Sequence, residues 1–484
     1  MAESLTARTV RGVAWTLSTS LGSRVVGLVG TLLLARYLAP AEYGEVMAAQ
    51  IVTLIAFSVT TFGVGIYLVS NRELLRAEVF HATVWFLATG AAALGLVWAL
   101  ARPIGDWLEA ARLPDFMPLF VLSVGLDRIV YVPERMLIRR LGFRWLSLAR
   151  AAGELAFTAV SLGLAAAGYG AMSIVYASVA RSALKLVAIV PAVGWREWLE
   201  PHPLHAATFS RIIRTGVAVS LAGIANLLQR RGDNLLVSVF FGNAAMGAYN
   251  YAYNLADTPA VAIGEQLSDV VAASFPHAEG DKRKAAVVRA CTMTALIMFP
   301  LAFGLGAVGP TVVDAFFDHK WESVGAMLVL LSIVSAPRPL AQILHAYFFA
   351  DQRMRIVLWQ EWLALALLMG SIATLGRLGI LWTCGAVGLT FVFRTLLLMW
   401  TIQRLDGIPM RRFLAPLARP LLACLAMVGA IQLARPALAD LAPILRLLLE
   451  IALGAAVYLA GALLIFRSAT SELISMVRSS ILRR

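Results

Sequence analysis

The sequence predicts an all-α polytopic membrane protein with about 14 transmembrane helices: two parallel-repeat six-helix bundles around a central cavity, plus two C-terminal helices. Three observations support this prediction: long apolar runs, basic residues concentrated in alternate loops, and an internal repeat. Of the 484 residues, 60% are hydrophobic and 14% are charged. A water-soluble chain of this length needs more charge to cover its surface, so the apolar excess is expected to face lipid.

The apolar runs are long enough to cross a bilayer, because a spanning helix needs about 20 apolar residues. They are also continuous, whereas the strands of a membrane barrel are short and alternate in polarity. The predicted spans are 10–36, 43–70, 80–101, 116–133, 146–168, 170–193, 212–239, 246–273, 286–309, 325–350, 356–376, 378–402, 415–434 and 444–466.

The loops between these runs set the orientation of the chain. Loops after even-numbered spans contain basic clusters, such as Arg139–Arg140 and Lys282–Lys284, whereas loops after odd-numbered spans contain few basic residues. Basic loops stay in the cytoplasm, so both termini are predicted to be cytoplasmic. The net charge of +13 then reflects topology, and no nucleic-acid partner is expected.

No enzyme constellation is recognisable in the sequence. It lacks a Walker A motif, a G-x-S-x-G elbow and an H-E-x-x-H pair, so we expect no catalytic residue and no cofactor. Cys291, Cys384 and Cys424 are scattered in apolar runs, which argues against a metal site or a disulfide framework. The first apolar run contains Arg24 and is expected to remain as the first span rather than be cleaved as a signal peptide.

An internal repeat organises the chain. The stretch 10–44 is an apolar run with a buried arginine, followed by a break, a glycine and a second apolar run, and 216–249 repeats this plan. Gly247 aligns with Gly44 at an offset of 203 residues. Six spans separate the two copies, so both enter the membrane in the same direction, as in a parallel repeat. The predicted domains are an N-terminal bundle (1–193), a cytoplasmic interfacial linker (194–211), a C-terminal bundle (212–402), two further helices (403–466) and an amphipathic tail (467–484).

Many ionisable residues lie inside the predicted spans, where each costs several kcal/mol unless it faces protein or water. Their number favours a hydrated central cavity. Polar residues recur every three or four positions in spans 1, 7 and 8, which places them on one helical face. These stripes are Thr16, Ser20 and Arg24; Ser220, Arg230 and Asn234; and Asn250, Asn254, Asp257 and Glu265.

Arginine is suited to bidentate binding of phosphate or carboxylate, so the sequence predicts an electropositive chamber for a polyanionic headgroup. The predicted substrate-binding residues are Arg24, Arg230, Arg231, Arg128, Arg338, Ser20, Asn250 and Asn254. For each arginine, the alternative is a salt bridge that pins two helices. Arg181 and Lys185 are expected to snorkel to the cytoplasmic interface. The candidates for ion coupling are Asp257, Glu265 and Asp233, with Pro259 as a kink in span 8.

Three motifs of the sequence are informative about its family. The first is Ala35-Arg-Tyr-Leu-Ala-Pro-Ala-Glu-Tyr-Gly44, which resembles L-A-R-x-L-x-P-x-x-[FY]-G. The second is Gly247-Ala-Tyr-Asn-Tyr-Ala-Tyr-Asn-Leu-Ala-Asp-Thr-Pro259, followed by Phe275-Pro276, and the third is Phe316-Phe-Asp-His-Lys-Trp321. Together these motifs resemble those of the Wzx-type lipid-linked oligosaccharide flippases, bacterial polysaccharide exporters of the multidrug/oligosaccharidyl-lipid/polysaccharide exporter superfamily, although Asp318 stands where that family usually has glycine.

The resemblance implies transport of an undecaprenyl-pyrophosphate-linked sugar unit from the cytoplasmic to the periplasmic leaflet by alternating access. The implied partners are this lipid-linked oligosaccharide, membrane lipid, and the polysaccharide polymerase and glycosyltransferases of the same pathway. Alternatives are a cation-coupled multidrug antiporter, which would favour a carboxylate-rich cavity, and a membrane polysaccharide polymerase or ligase, which would need a large outer loop. A non-transporting scaffold or lipid scramblase is a further alternative.

Overall fold

The computed structural model of the chain describes residues 22, 26–71, 74–259, 280–351 and 353–465. Within these ranges every regular element is helical. The helices are α1 (Val26–Tyr37), α2 (Pro40–Val59), α3 (Val64–Ser70), α4 (Arg76–Ala99), α5 (Ala101–Trp107), α6 (Leu113–Arg139), α7 (Phe143–Ala166), α8 (Met172–Val193), α9 (Ala206–Pro259), α10 (Gly280–Phe316), α11 (Ser323–Ser335), α12 (Arg338–Ala350), α13 (Met354–Leu375), α14 (Ile380–Asp406), α15 (Met410–Ala434) and α16 (Pro443–Ile465).

The all-helical membrane fold predicted from the sequence is confirmed. Eleven helical segments of the described ranges are long and apolar enough to cross a membrane, and they coincide with predicted spans 2–6 and 9–14. The other three predicted spans correspond to α1, of which only the C-terminal part is described, and to the two parts of α9. Those are the spans with the predicted polar stripes, and the described part of the first one, Val26–Tyr37, is apolar but shorter than a full span.

The helix is interrupted within two predicted spans, 43–70 and 325–350, although Ser323–Ala350 still forms one segment that is long and apolar enough to cross a membrane. The first breaks between α2 and α3, where Phe62 and Gly63 have positive φ angles of 41° and 68°. The second breaks between α11 and α12, at Ala336 and Pro337. Apolar composition continues through both breaks, so hydropathy could not reveal them.

The segment α9 comprises two helices that meet at Gly242, and these correspond to the seventh predicted span and to the described part of the eighth. Gly242 has φ 80° and ψ 172°, a backbone conformation that only glycine adopts at low cost. The predicted kink at Pro259 falls at the last residue of α9, and the described chain resumes at residue 280. The tail 467–484 lies outside the described residues.

The chain divides into two compact units, 1–248 and 249–484. The helical segment that follows the linker 194–211 therefore groups with the first unit, although the sequence assigned it to the C-terminal bundle. In the first unit, Trp198 of this linker is buried in the core, whereas Trp195 is 58% exposed. The core of the second unit is built mainly from α10, α12, α14 and α15. The division into two six-helix bundles stays a prediction.

Within the first unit, the two repeat glycines lie against each other. A β-carbon on Gly44 would overlap the carbonyl oxygen of Asn243, and one on Gly247 would overlap the carbonyl oxygen of Pro40 and lie 3.1 Å from the Gly44 nitrogen. Asn243 precedes Gly247 by four residues, as Pro40 precedes Gly44. The contact is therefore reciprocal between the two copies, as expected of equivalent helices around a two-fold axis.

In the second unit, charged groups connect the ends of α10, α12, α13 and α14. Arg353 donates to both carboxylate oxygens of Asp406, at 3.0 and 3.1 Å, and its Nη2 lies 2.9 Å from Asp351. Asp351 also pairs with Arg283 at 2.5 Å. Burial lowers the pKa of Arg353, but the hydrogen bonds and charge of Asp406, with the charge of Asp351, raise that pKa above its usual value overall.

We expect Asp406→Asn to lower the free energy of unfolding by about 1–2 kcal/mol, because it removes the bidentate acceptor of Arg353. Thermal unfolding of the purified protein in detergent measures the effect. Asp281→Asn is the control, since Asp281 is fully exposed and its ion pair with Lys284 is long, at 3.9 Å. Equal unfolding temperatures for the two variants would show that the Arg353 contacts do not stabilise the helix ends.

Candidate functional site

The polar stripe predicted on span 8 is present at the end of α9, at the start of the second unit. The side-chain amide of Asn254 donates to that of Asn250 across one helical turn, at 2.7 Å. Asn250 is completely buried, whereas Asn254 and Asp257 are half-buried. Three of the four predicted residues therefore follow one face of the helix, and Glu265 lies outside the described residues.

Arg338 joins this stripe from the first residue of α12. Its Nη1 lies 2.5 Å from Oδ1 of Asp257, and the two side chains are only 9% and 16% exposed. The guanidinium also packs over the rings of Phe391 and Tyr253, at 4.7 and 5.5 Å. Arg338 is unfavourable here for two reasons: its charge is nearly buried, and a cation at a helix N-terminus opposes the helix dipole. The carboxylate of Asp257 compensates both effects.

The structure thus combines two sets of residues that the sequence treated separately. Asn250, Asn254 and Arg338 were predicted to bind substrate, and Asp257 was predicted to couple an ion. All four lie in one cluster of the second unit, which we call the α9–α12 cluster. An anion that approaches Arg338 would compete with Asp257 for the same guanidinium, so binding and release of the carboxylate would be linked.

A polar cavity of about 220 Å³ lies within the first unit, between α2, α6, α8 and α9. Arg231, a predicted substrate-binding residue, lines it. Arg181 also lines it, and its snorkelling to the cytoplasmic interface stays a prediction. The other polar residues of the lining are Gln50, Thr53, Ser123, Asp127 and Ser178.

Ion pairs balance part of the charge around this cavity. Lys185 pairs with Asp127, and Arg181 pairs with Glu154 at 3.4 Å while it packs over the ring of Phe157 at 4.8 Å. The Arg181–Glu154 distance is long for a charge-assisted hydrogen bond, and the Glu154 side chain is 42% exposed. Arg231 lies in the wall as well, so the cavity lining contains two guanidinium groups.

Arg128, another predicted substrate-binding residue, is only 2% exposed and contacts other residues of the first unit. Its guanidinium donates to the carbonyl oxygens of Phe86 at 2.9 Å and Phe57 at 3.1 Å, and to the hydroxyl of Thr60. It also packs over the rings of Phe57 and Phe86. Arg128 therefore braces α6 against α2 and α4, the role that the sequence left as the alternative for each arginine.

The remaining predicted residues are less connected to either site. Arg230 is half-buried on α9. Asp233 is completely buried and accepts hydrogen bonds from the backbone and side-chain nitrogens of Asn234, both at 2.9 Å. Arg24 and Ser20 lie outside the described residues.

The candidate list from the sequence missed one buried group of charges, formed by His345, Glu361 and Arg394 in the second unit. Arg394 forms an ion pair with Glu361, and Nδ1 of His345 lies within 3.4 Å of both partners. Each residue is an ionisable group inside a predicted span. The three residues lie in three consecutive predicted spans. The presence of one ionisable residue in each of these spans was the only sequence signal that could have suggested a shared site.

Comparisons with known proteins agree with the helical fold and the buried charges of a polytopic membrane transporter. The family model described as "Polysaccharide biosynthesis protein" matches residues 33–326, and the chain belongs to that family. The succinoglycan biosynthesis transport protein ExoT of Rhizobium meliloti (strain 1021) is 24% identical over 99% of this chain and 98% of its own length. The lipopolysaccharide biosynthesis protein WzxC of Escherichia coli (strain K12) is 24% identical over 82% of this chain and 80% of its own length.

A solved structure supports the fold. The lipid II flippase MurJ, in an inward closed conformation, superposes with a TM-score of 0.76 at 14% sequence identity. The superposition covers 93% of this chain and 98% of MurJ. The chain is therefore a multi-pass membrane protein with the fold of this flippase, as the sequence resemblance implied.

Proposed function

We propose that this protein flips undecaprenyl-pyrophosphate-linked sugar units from the cytoplasmic to the periplasmic leaflet of the bacterial inner membrane by alternating access. The product would supply exopolysaccharide, capsule or O-antigen synthesis. The observation that supports this proposal most directly is the polar cavity of the first unit, with Arg181 and Arg231 in its wall. Two guanidinium groups in a water-accessible, membrane-embedded cavity match the charge of a pyrophosphate.

The same cavity explains why a sugar can cross without a catalytic step. Amide and hydroxyl groups, such as those of Gln50, Ser123 and Ser178, can replace water around a glycan while the lipid tail stays in the bilayer. The relative ExoT, which is named as a transport protein, favours a transporter rather than an enzyme. Both chain termini are proposed to be cytoplasmic, because this orientation gives the cytoplasmic loops most of the basic residues.

A cation-coupled multidrug antiporter is disfavoured by the pairing of the acids. A cationic drug needs an available carboxylate, but Asp127 pairs with Lys185 and Asp257 pairs with Arg338. Each of these carboxylates is neutralised by a cation of the protein itself. An anionic substrate instead can recruit the arginines by displacing their carboxylates.

The decisive experiment follows the leaflet in which lipid-linked oligosaccharide accumulates. In a deletion strain, we expect the intermediate to remain on the cytoplasmic face, protected from a periplasmic glycan-cleaving enzyme in intact cells. Arg231→Ala is expected to lower export at least tenfold at normal protein levels, since a charge-assisted bidentate contact contributes about 1.5–3 kcal/mol. Arg377→Ala is the matched control, because Arg377 lies exposed between α13 and α14.

The alternatives predict different results in the same strain. Intermediate that is displayed normally on the periplasmic face, with only polymer length lost, would favour a polymerase or ligase. Unchanged export by Arg231→Ala would remove the cavity from the proposal. Normal display of the intermediate together with normal polymer would contradict a role in export altogether.

A further inference from the structure

The buried group of His345, Glu361 and Arg394 has a geometry that none of the proposed substrate contacts uses. One oxygen of the Glu361 carboxylate forms the ion pair with Nη2 of Arg394 and lies 3.4 Å from Nδ1 of His345. Nδ1 of His345 also lies 3.3 Å from Nη2 of Arg394. The three side chains come from α12, α13 and α14 and are 9%, 4% and 11% exposed. One buried carboxylate therefore stands between two groups that can each be a cation.

The hydrogen-bond chemistry links the protonation of His345 to the position of Arg394. A guanidinium only donates, so a hydrogen bond from Arg394 to Nδ1 of His345 requires this nitrogen to be without a proton. The proton of the neutral ring then resides on Nε2, which is buried and forms no hydrogen bond within the described residues. A second positive charge beside Arg394 would leave the buried group with a net charge of +1, which its desolvation opposes.

We propose that His345 and Glu361 form a proton-binding site that exchanges a proton for Arg394 during the transport cycle. When the guanidinium leaves Glu361, Nδ1 of His345 takes a proton from a hydronium ion, whose O–H bond breaks, and the new N–H donates a hydrogen bond to the same carboxylate oxygen. No covalent bond other than N–H forms, and the buried charge stays neutral in both states. The proton returns to water on the opposite side of the membrane when Arg394 pairs with Glu361 again.

The site is connected to the α9–α12 cluster by two helices. Arg338 precedes His345 by seven residues on α12, which is two helical turns and thus the same face. The Arg338 guanidinium packs over Phe391, one turn before Arg394 on α14. An anionic headgroup that draws Arg338 away from Asp257 would therefore disturb the packing at Arg394. This step makes the inference depend on the proposed function.

Other titratable groups on these helices and on α10, which packs against α12, are the alternatives for a proton-coupling site. Most lie at helix ends, where water screens them. They are Asp281, Lys282, Arg283, Lys284, Arg289, Cys291 and Asp314 on α10, Arg338 and Tyr347 on α12, Arg355 on α13, and Cys384, Arg404 and Asp406 on α14. Among the histidines of the described residues, His345 is the one within hydrogen-bonding reach of a buried carboxylate in this unit.

The test uses the full-length protein in proteoliposomes and a fluorescent undecaprenyl-pyrophosphate-linked disaccharide as the probe. The membrane potential is clamped, and the cytoplasmic face is made more acidic by one pH unit, because the proton taken up with the headgroup leaves on the same side as the probe. If one proton is exchanged per cycle, the wild type accumulates the probe in the periplasmic leaflet about tenfold. His345→Gln keeps an acceptor for Arg394 but cannot titrate, so it flips the probe to equal leaflet concentrations without accumulation.

Two further variants separate coupling from folding. Glu361→Gln with Arg394→Met removes both charges together, and this double variant is expected to fold and to flip the probe without accumulation. His319→Gln, in the exposed loop between α10 and α11, is expected to accumulate the probe like the wild type. Trapped pyranine should report proton uptake with probe transfer in the wild type and in His319→Gln only.

Each outcome decides one question. Tenfold accumulation by His345→Gln, or by the double variant, would overturn the proton site and leave the flippase proposal intact. Equal leaflet concentrations in the wild type would do the same. A wild type that transfers no probe at all would overturn the proposed function, and the coupling inference with it.

Discussion

Gly44→Ala is expected to destabilise the protein by about 1–3 kcal/mol and to abolish most export, although alanine normally stabilises a helix relative to glycine. The added methyl group would overlap the backbone carbonyl of Asn243, and a backbone carbonyl cannot rotate away as a flexible side chain can. The two copies of the repeat would have to separate where they now touch. Thermal unfolding in detergent and export in complemented deletion cells measure the two effects.

The control for this prediction is Gly95→Ala on α4. A β-carbon on Gly95 has no atom within 4 Å, so this variant should gain up to about 1 kcal/mol from helix propensity. The same type of substitution therefore changes stability in opposite directions at the two sites. Gly247→Ala should match Gly44→Ala, because the contact is reciprocal. A stability gain at Gly44 would contradict the close approach of the two copies.

The sequence predicts the helical content and the positions of the spans because lipid imposes a simple rule. A spanning helix needs a continuous apolar run, and the eleven apolar helices of the structure coincide with predicted runs. The offset between Gly44 and Gly247 was also visible in the sequence. The sequence could not show that these two glycines are in contact, because a repeat shows which positions are equivalent but not how far apart they lie.

The interruptions of helices could not be predicted from composition. At the break near Gly63, the backbone of Phe62 and Gly63 lies so close to Gly216 that a β-carbon on Gly216 would overlap it. Tertiary packing therefore determines the break together with the conformation of Gly63. Pro337 marks the break between α11 and α12, yet proline is also common inside membrane helices. Pro118 and Pro133 of α6 illustrate this, since the helix continues through both.

The roles of individual charges were the least predictable part of the candidate site. Hydropathy places Arg128 and Arg231 inside predicted spans. Their different roles depend on which residues of other helices surround each guanidinium. Arg128 meets backbone carbonyls of α2 and α4, whereas Arg231 meets a cavity that also contains Arg181. Such partners lie many residues away in the chain, and a single sequence contains no measure of which spans are adjacent.

Removing either partner of the Arg338–Asp257 pair is expected to lower the free energy of unfolding by about 3–5 kcal/mol, because it leaves one nearly buried charge without its counter-charge. Asp257→Asn and Arg338→Met are the two variants. Asp318→Asn is the matched surface control, since Asp318 and Lys320 are 59% and 36% exposed and lie 3.5 Å apart. That exposed pair should contribute less than about 1 kcal/mol. Chemical or thermal unfolding in detergent gives all three values.

The double variant Asp257→Asn with Arg338→Met separates stability from function at this pair. Replacing a buried ion pair by groups of similar volume is often nearly neutral, so the double variant should recover most of the stability that each single variant loses. Export should nevertheless remain lost, because no guanidinium is left in the α9–α12 cluster to attract an anionic headgroup. Recovery of both stability and export would show that the pair only braces α9 against α12. Loss of export from a stable protein instead assigns Arg338 to the substrate path, since its contribution to folding has then been removed from the comparison.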